Sequence, residues 1–383
     1  MKFSVLLPTR NRLDLLKLAI ESVRMQDHAD WEIVVSDNAS DDDVLNYVQS
    51  VGDARVRARR QRQLVPVTDN WNAALAQAAG DYFIMLGDDD ALMPKALSRM
   101  AALIERWQRP MAIYAQALQY AYPDVVPGHP ASFVQTGYNE FLEGRVEPFA
   151  LPRSTALRMV RGAMAFRVLY GYNMQHFVIS RELVEKLRPK GAFFQSPYPD
   201  YYAANAVLLA ADPLVATPEV FAVIGISPKS FGYYYLNARE RDGAEFLQNI
   251  AEPDIAERVR DKLVPGSNMN DSWLCAMETL ARNFADEVGS AVKYSGYRRL
   301  QYYELVKTRN RRAALRCMRW WELPIYAGAV LAFAVIRLLP RHARNFVGGW
   351  LTYLLSSIAP RFNPHRRLVP YRNILEAVKG EAG

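Results

Sequence analysis

Tyr82-Phe-Ile-Met-Leu-Gly-Asp-Asp-Asp-Ala-Leu-Met-Pro94 joins an unbroken apolar run to three consecutive carboxylates through a single glycine. A short apolar run that ends at turn residues reads as a strand buried on both faces. Buried backbone fixes where the following carboxylates sit. Their hard oxygens suit Mg²⁺ or Mn²⁺, which neutralise a diphosphate, so a strand ending in this way is a place to hold a metal against phosphate. The plain alternative is a solvated acidic turn, since Asp is favoured in turns and at the N-cap of a helix.

Working outward, residues 3–7 and 31–35 read as further buried strands, and residues 56–60 as another. Apolar spacing predicts helices over 12–25 and 71–79, and Asp41-Asp-Asp43 suits the acidic first turn of a helix through residues 47–49. Strands alternating with helices in this way predict a parallel α/β sheet. Ligands of such sheets bind beyond the carboxyl ends of the strands. Three polar clusters fall at those ends: Pro8-Thr-Arg-Asn-Arg12, Ser36-Asp-Asn-Ala-Ser40 and Gly87-Asp-Asp-Asp90. Their coincidence argues against a merely solvated turn. The chain has no GxGxxG after its first strand and no GxxxxGK[ST], which removes the main support for dinucleotide-fingerprint and P-loop readings. Downstream, 111–120 and 174–180 read as strands, 181–187 and 201–209 as helices, 123–152 as an irregular Pro- and Gly-rich excursion, and 239–319 as mostly helical.

The chain has 383 residues and a formal net charge of +7, enough length for a catalytic core with additions. Carboxylates crowd its start, whereas Arg crowds its last quarter among long apolar stretches, which points to a membrane surface and away from nucleic acid. Cys275 and Cys317, without metal or redox spacing, read as reduced thiols. The apolar start breaks at Pro8, too early for a signal peptide, so the catalytic part is expected to stay in the cytoplasm.

These segments resemble the family 2 glycosyltransferases of GT-A fold, through Ser4-Val-Leu-Leu-Pro-Thr-Arg-Asn-Arg12, Ile33-Val-Val-Ser-Asp-Asn-Ala-Ser-Asp41, Asn70-Trp-Asn72 and Ala79-Gly-Asp-Tyr-Phe-Ile-Met-Leu-Gly-Asp-Asp-Asp90. The resemblance implies a Rossmann-like mixed α/β sheet flanked by helices, with a helical C-terminal extension. It assigns 1–235 to a catalytic domain, of which 1–110 hold the nucleotide sugar and 111–235 the acceptor, and 236–320 to the extension. It implies a nucleotide-diphosphate sugar donor, a divalent Mn²⁺ or Mg²⁺ cofactor, and inversion at the transferred sugar. Donor-binding residues are then Pro8, Thr9, Arg10, Asp37, Asn72, Asp88 and Lys229. Asp89 is the expected direct metal ligand, with Asp88 towards the ribose and Asp90 supporting the loop, all three belonging to the metal site within one residue of register. Gly87 stands where the family usually has its first carboxylate. Asn72 lacks the Arg that usually precedes it, so a helix N-terminal role competes.

Asp200, in Ser196-Pro-Tyr-Pro-Asp-Tyr-Tyr202, is the expected base for the acceptor hydroxyl, with a helix N-cap as its alternative. Lys229 lies in Ser227-Pro-Lys-Ser-Phe-Gly232, readable as a closing loop or as a surface turn. His176 reads as structural. Residues 321–383 read as a basic, apolar region lying on the inner-membrane surface, with core helices as the alternative. The acceptor is then a glycan or a polyprenyl- or lipid-linked glycan used in surface polysaccharide synthesis. A silent nucleotide-sugar binder or scaffold competes with the enzyme reading, and a nucleotidyltransferase is disfavoured because no Gly-rich, Arg-containing loop follows the first strand.

Overall fold

The computed structural model describes residues 1–125, 132–137, 139–236, 253–289, 292–307, 310–324, 326–328, 330–331 and 367–382. Strands β1 (Phe3–Thr9), β2 (Trp31–Asp37), β3 (Val56–Arg60) and β4 (Tyr82–Met85) form a parallel half-sheet in the order β3-β2-β1-β4. Every residue of β1, β2 and β4 is buried, as expected of strands covered on both faces. Side chains alternate between two cores: Phe3, Val5 and Leu7 pack with α1 (Leu13–Arg24), whereas Leu6 and Phe83 pack on the opposite face.

The sheet is mixed, as the resemblance implies, and not wholly parallel as the alternation alone predicts. Strand β9 (Phe177–Ser180) inserts antiparallel between β4 and β6 (Ala112–Ala121), which leaves those two parallel to each other. The long β10 (Leu214–Ile226) runs parallel to β6 and also pairs with β8 (Phe149–Ala150) and with the two-residue β5 (Ala91–Leu92), the strand that resumes after the triple Asp. The acidic loop is therefore pinned between β4 and β5. The expected strand at 174–180 is shorter because Met174–His176 forms a 3-10 turn. The expected helix at 71–79 starts earlier, at Val67, where Pro66 supplies an extended entry; it is named α2 (Val67–Gln77).

Helix α3 (Pro199–Ala210) is buried nearly all round. It packs against α4 (Asn268–Asn283) in one core that runs from Phe83 and Met85 through Tyr202 and Val207 to Trp273 and Leu280. The helical extension is thus fused to the sheet domain by shared apolar packing.

Residues 367–382, assigned on sequence to the membrane-associating region 321–383, belong to the sheet instead. Strand β11 (Arg367–Val369) pairs antiparallel with β7 (Ser132–Thr136), and the helix Ile374–Gly380 buries Ile374, Ala377 and Val378 in the core beside α1. The Ser132 and Tyr120 hydroxyls both donate to the Tyr371 carbonyl, at 2.6 and 2.9 Å. Most of the first apolar run after Pro324 and all of the second, 346–358, lie outside the described residues. Among those described, no helix is long and apolar enough to cross a membrane.

Candidate active site

Parallel register sets Thr9 beside Asp37 and Leu6 beside Met85, which brings the carboxyl ends of β1, β2 and β4 to one edge of the sheet. A cleft of about 290 Å³ opens there. Pro8, Thr9, Arg10 and Arg12 line it from the end of β1, and Gly87 to Asp90 from the end of β4. Tyr198, Pro199 and Asp200, and Ile224 to Ile226 of β10, complete this part of the lining.

The three carboxylates of the acidic loop are all buried and differ in their partners. Asp88 accepts from the Thr9 hydroxyl at 2.8 Å and from the Arg12 guanidinium at 2.9 Å. Asp90 accepts from the Gly87 and Gly225 backbone N–H groups, at 2.7 and 2.8 Å, and from the Gln175 amide at 2.6 Å. Asp90 is therefore the loop's internal clamp, tying β4, β10 and the 3-10 turn together. Asp89 takes a bond from the Ser227 hydroxyl at 3.0 Å. Gly87 has a local reason to be glycine, since a β-carbon there would lie 2.7 Å from Asp90 Oδ2.

Burial pushes the Asp89 carboxyl up against the pull of the Arg12 guanidinium, and burial followed by the Asp89 charge pushes Asp90 up. Four carboxylates, Asp88 to Asp90 and Asp200, line the cleft with two guanidinium groups, Arg10 and Arg12, so acidic side chains outnumber basic ones. The cleft's oxygen donors suit Mg²⁺ or Mn²⁺. Among the described residues no three His, Cys, Asp or Glu side chains gather into a self-sufficient metal site. A cation here would be shared with oxygens of a bound phosphate, the usual arrangement for Mg²⁺.

Asp200, also a lining residue, lies in the first turn of α3 and accepts from the Met174 backbone N–H at 2.8 Å. Tyr198, not Asp200, stands at the N-cap position. Burial pushes the Asp200 carboxyl up to about 7, the range in which a carboxylate is an effective general base near neutral pH. Tyr198 packs on Phe231 with ring centres 5.5 Å apart and forms an aromatic wall beside it.

The structure does not bring every expected residue to this cleft. Asp37 reaches the end of β2 but is fully buried; it accepts from Arg60, its register neighbour on β3, at 2.5 Å and from the Ser40 N–H at 3.1 Å. The next residue, Asn38, lines the cleft instead and holds the backbone of Val65 by two hydrogen bonds. Asn72 is turned away, its amide bonded twice to the Phe194 backbone, whereas Asn70 and Trp71 line the cleft. Lys229 points outward to Asp14 at 2.8 Å, half exposed. His176 is buried, stacked on Tyr114, with burial pushing it down to about 4, in keeping with a structural role. The sequence reading gave no role to Arg12, although it lies in the first polar cluster, or to Ser227. Gly225 and Gln175 carried no local signal.

Residues 4–169 match the family model described as Glycosyl transferase family 2. The chain is 41% identical over 102 residues to the GalNAc(5)-diNAcBac-PP-undecaprenol beta-1,3-glucosyltransferase of Campylobacter jejuni, a match covering 26% of this chain and 33% of that one. It is 28% identical over 121 residues to a PGL/p-HBAD biosynthesis glycosyltransferase of Mycobacterium bovis, covering 30% and 46% of the two chains. The chain thus spans less than half the length of either relative. Among solved structures, S. aureus TarS 1-349 in complex with UDP-GlcNAc superposes with a TM-score of 0.49 and 14% identity, covering 92% of this chain and 87% of that one. Residues 4–169, less than half of the chain, are thus similar to glycosyl transferase family 2.

Proposed function

We propose that the chain is a metal-dependent, inverting glycosyltransferase that moves a sugar from a nucleotide-diphosphate donor to a glycan or lipid-linked glycan acceptor. The observation that carries this reading is that the acidic loop Asp88 to Asp90 and the buried carboxylate Asp200 line one cleft. Asp89, assisted by Asp88, would hold Mn²⁺ or Mg²⁺, which supplies charge neutralisation for the leaving diphosphate. Asp90 keeps the loop in place. Pro8, Thr9 and Arg10 form the donor-side wall. Asp37, paired with Arg60, backs that wall as the register neighbour of Thr9, and Asn72, bonded to the Phe194 backbone, acts outside the lining. Lys229 would reach a diphosphate only by leaving Asp14.

Asp200 removes the proton of the acceptor hydroxyl as that oxygen attacks the anomeric carbon. The bond to the diphosphate oxygen breaks on the opposite face, so the product is inverted. The aromatic wall of Tyr198 and Phe231 suits an apolar sugar face near that hydroxyl. The Campylobacter relative's name includes a PP-undecaprenol carrier, which supports a lipid-linked acceptor in surface polysaccharide synthesis. Exposed Trp320 and Trp321 beside Arg316 and Arg319 support peripheral attachment to the inner membrane's cytoplasmic face. Turnover of nucleotide sugar by wild type, Asp89→Asn and Asp200→Asn tests the reading. Loss in both variants supports it; undiminished turnover in both leaves a binding protein.

A further inference from the structure

Gln175 is bonded at one end of its amide only. It lies in the 3-10 turn Met174–His176, which touches both halves of the cleft. Its Nε2 donates to Asp90 Oδ2 at 2.6 Å, and the N–H of the adjacent Met174 donates to Asp200 Oδ1 at 2.8 Å. Its Oε1 is buried and has no hydrogen-bond partner among the described residues. A buried acceptor left unpaired is costly, so one kept beside a ligand cleft calls for a donor that arrives with the ligand.

The orientation of the amide is fixed by Asp90. Asp90 Oδ2 also takes the Gly87 N–H, and Oδ1 takes the Gly225 N–H, so the side facing Gln175 is an acceptor. Against the ionised carboxylate, a flipped amide would set two oxygens against each other. The unpaired atom is therefore a carbonyl oxygen. Such an oxygen repels phosphate and accepts only from O–H or N–H groups, which selects the sugar over the diphosphate. Its place on the turn between the acidic loop and Asp200 is also where the transferred sugar must lie, with the diphosphate at one end and the attacked carbon facing the base.

We infer that Gln175 Oε1 accepts a hydrogen bond from a hydroxyl or amide N–H of the transferred sugar, which makes Gln175 a specificity-determining residue. This assignment rests on the nucleotide-sugar reading above. It is tested by calorimetric titration with Mn²⁺ present, using UDP, GDP and dTDP and their hexose and N-acetylhexosamine esters, on wild type, Gln175→Met and the smaller Gln175→Ser. For the sugar that wild type prefers, the ratio of nucleotide Kd to nucleotide-sugar Kd should fall about tenfold in a folded variant, the worth of one hydrogen bond, with nucleotide Kd changed less than about twofold. An unchanged ratio overturns the assignment. So does an equal loss for nucleotide and nucleotide sugar, which would mean that Gln175 only positions Asp90. Wild type binding none of the nucleotides overturns the transferase reading and this assignment with it.

Discussion

Gly225 of β10 lies against Asp89 so closely that a β-carbon at position 225 would collide with the Asp89 carbonyl oxygen. Its N–H also donates to Asp90 at 2.8 Å, and Ser227, two residues on, donates to Asp89. The acidic loop is thus shaped by a strand far away in sequence. Gly225→Ala should push the loop off β10, lowering stability by about 2–4 kcal/mol, the range for overpacking joined to a broken buried network. Turnover should fall at least about a hundredfold, since Asp89 would leave its place. Denaturant melts alongside turnover check both; a variant that melts and turns over like wild type would show a loop free to yield.

Arg12 and Asp88 form a nearly buried pair, with side chains 12% and 4% exposed. Removing one partner of such a pair strands the other charge, at roughly 3–5 kcal/mol. Arg12→Met should therefore destabilise strongly, whereas Arg12→Met with Asp88→Asn should cost much less than the sum of the singles. Arg12→Lys keeps the charge but not the fork that also reaches the Lys229 carbonyl, and should fall between. Urea unfolding of wild type, the Arg12→Met and Asp88→Asn singles and the double gives the coupling; additive losses would contradict the pairing.

As the proposed base, Asp200 should tie activity to pH. Its folded-state carboxyl, pushed by burial to about 7, lies above its ordinary value, so the proton it binds on folding stabilises the protein at low pH. That contribution fades as pH rises from the ordinary value through 7, where the buried carboxylate ionises. A base must be ionised, so turnover should climb about tenfold per pH unit below 7 and level off above it. Asp200→Asn should lose about a thousandfold or more in turnover, yet melt higher than wild type at pH 8 by roughly 1–3 kcal/mol, with the gain gone near pH 4. Opposite signs for activity and stability in one substitution distinguish a functional carboxylate from a helix cap, whose removal would lower stability.

How legible these features were in the sequence depended on range. The runs at residues 3–7, 31–35 and 82–86 announced the central strands because each is apolar throughout, and the polar clusters at their ends followed. Asp37 was readable as a strand-end carboxylate, but its neutralisation by Arg60 comes from the pairing register of β2 with β3. Asn72 could not be placed from sequence because the helix opens at Val67, with Asn70 and Trp71 lining the cleft and Asn72 bonded to Phe194. The return of the chain through β11 could not be seen: a three-residue edge strand has no periodicity, and its partner lies more than two hundred residues earlier.

That return separates two roles within the last quarter of the chain, and each has its own test. Tyr371, Ile374, Ala377 and Val378 are built into the sheet domain, so truncation after residue 366 should uncover β7 and part of the core. Losing the burial of Ile374 and Val378 alone is worth about 2–4 kcal/mol, so the truncated protein should melt measurably lower. Trp320 and Trp321 are 77% and 50% exposed. Trp320→Ser with Trp321→Ser should leave stability within about 0.5 kcal/mol. If this corner rests on the headgroup layer, the same pair should weaken binding to vesicles containing anionic lipid severalfold, with turnover on a soluble acceptor unchanged. Vesicle co-sedimentation equal to wild type would remove the indole pair from the attachment surface, and a parallel fall in melting temperature would move it into the fold.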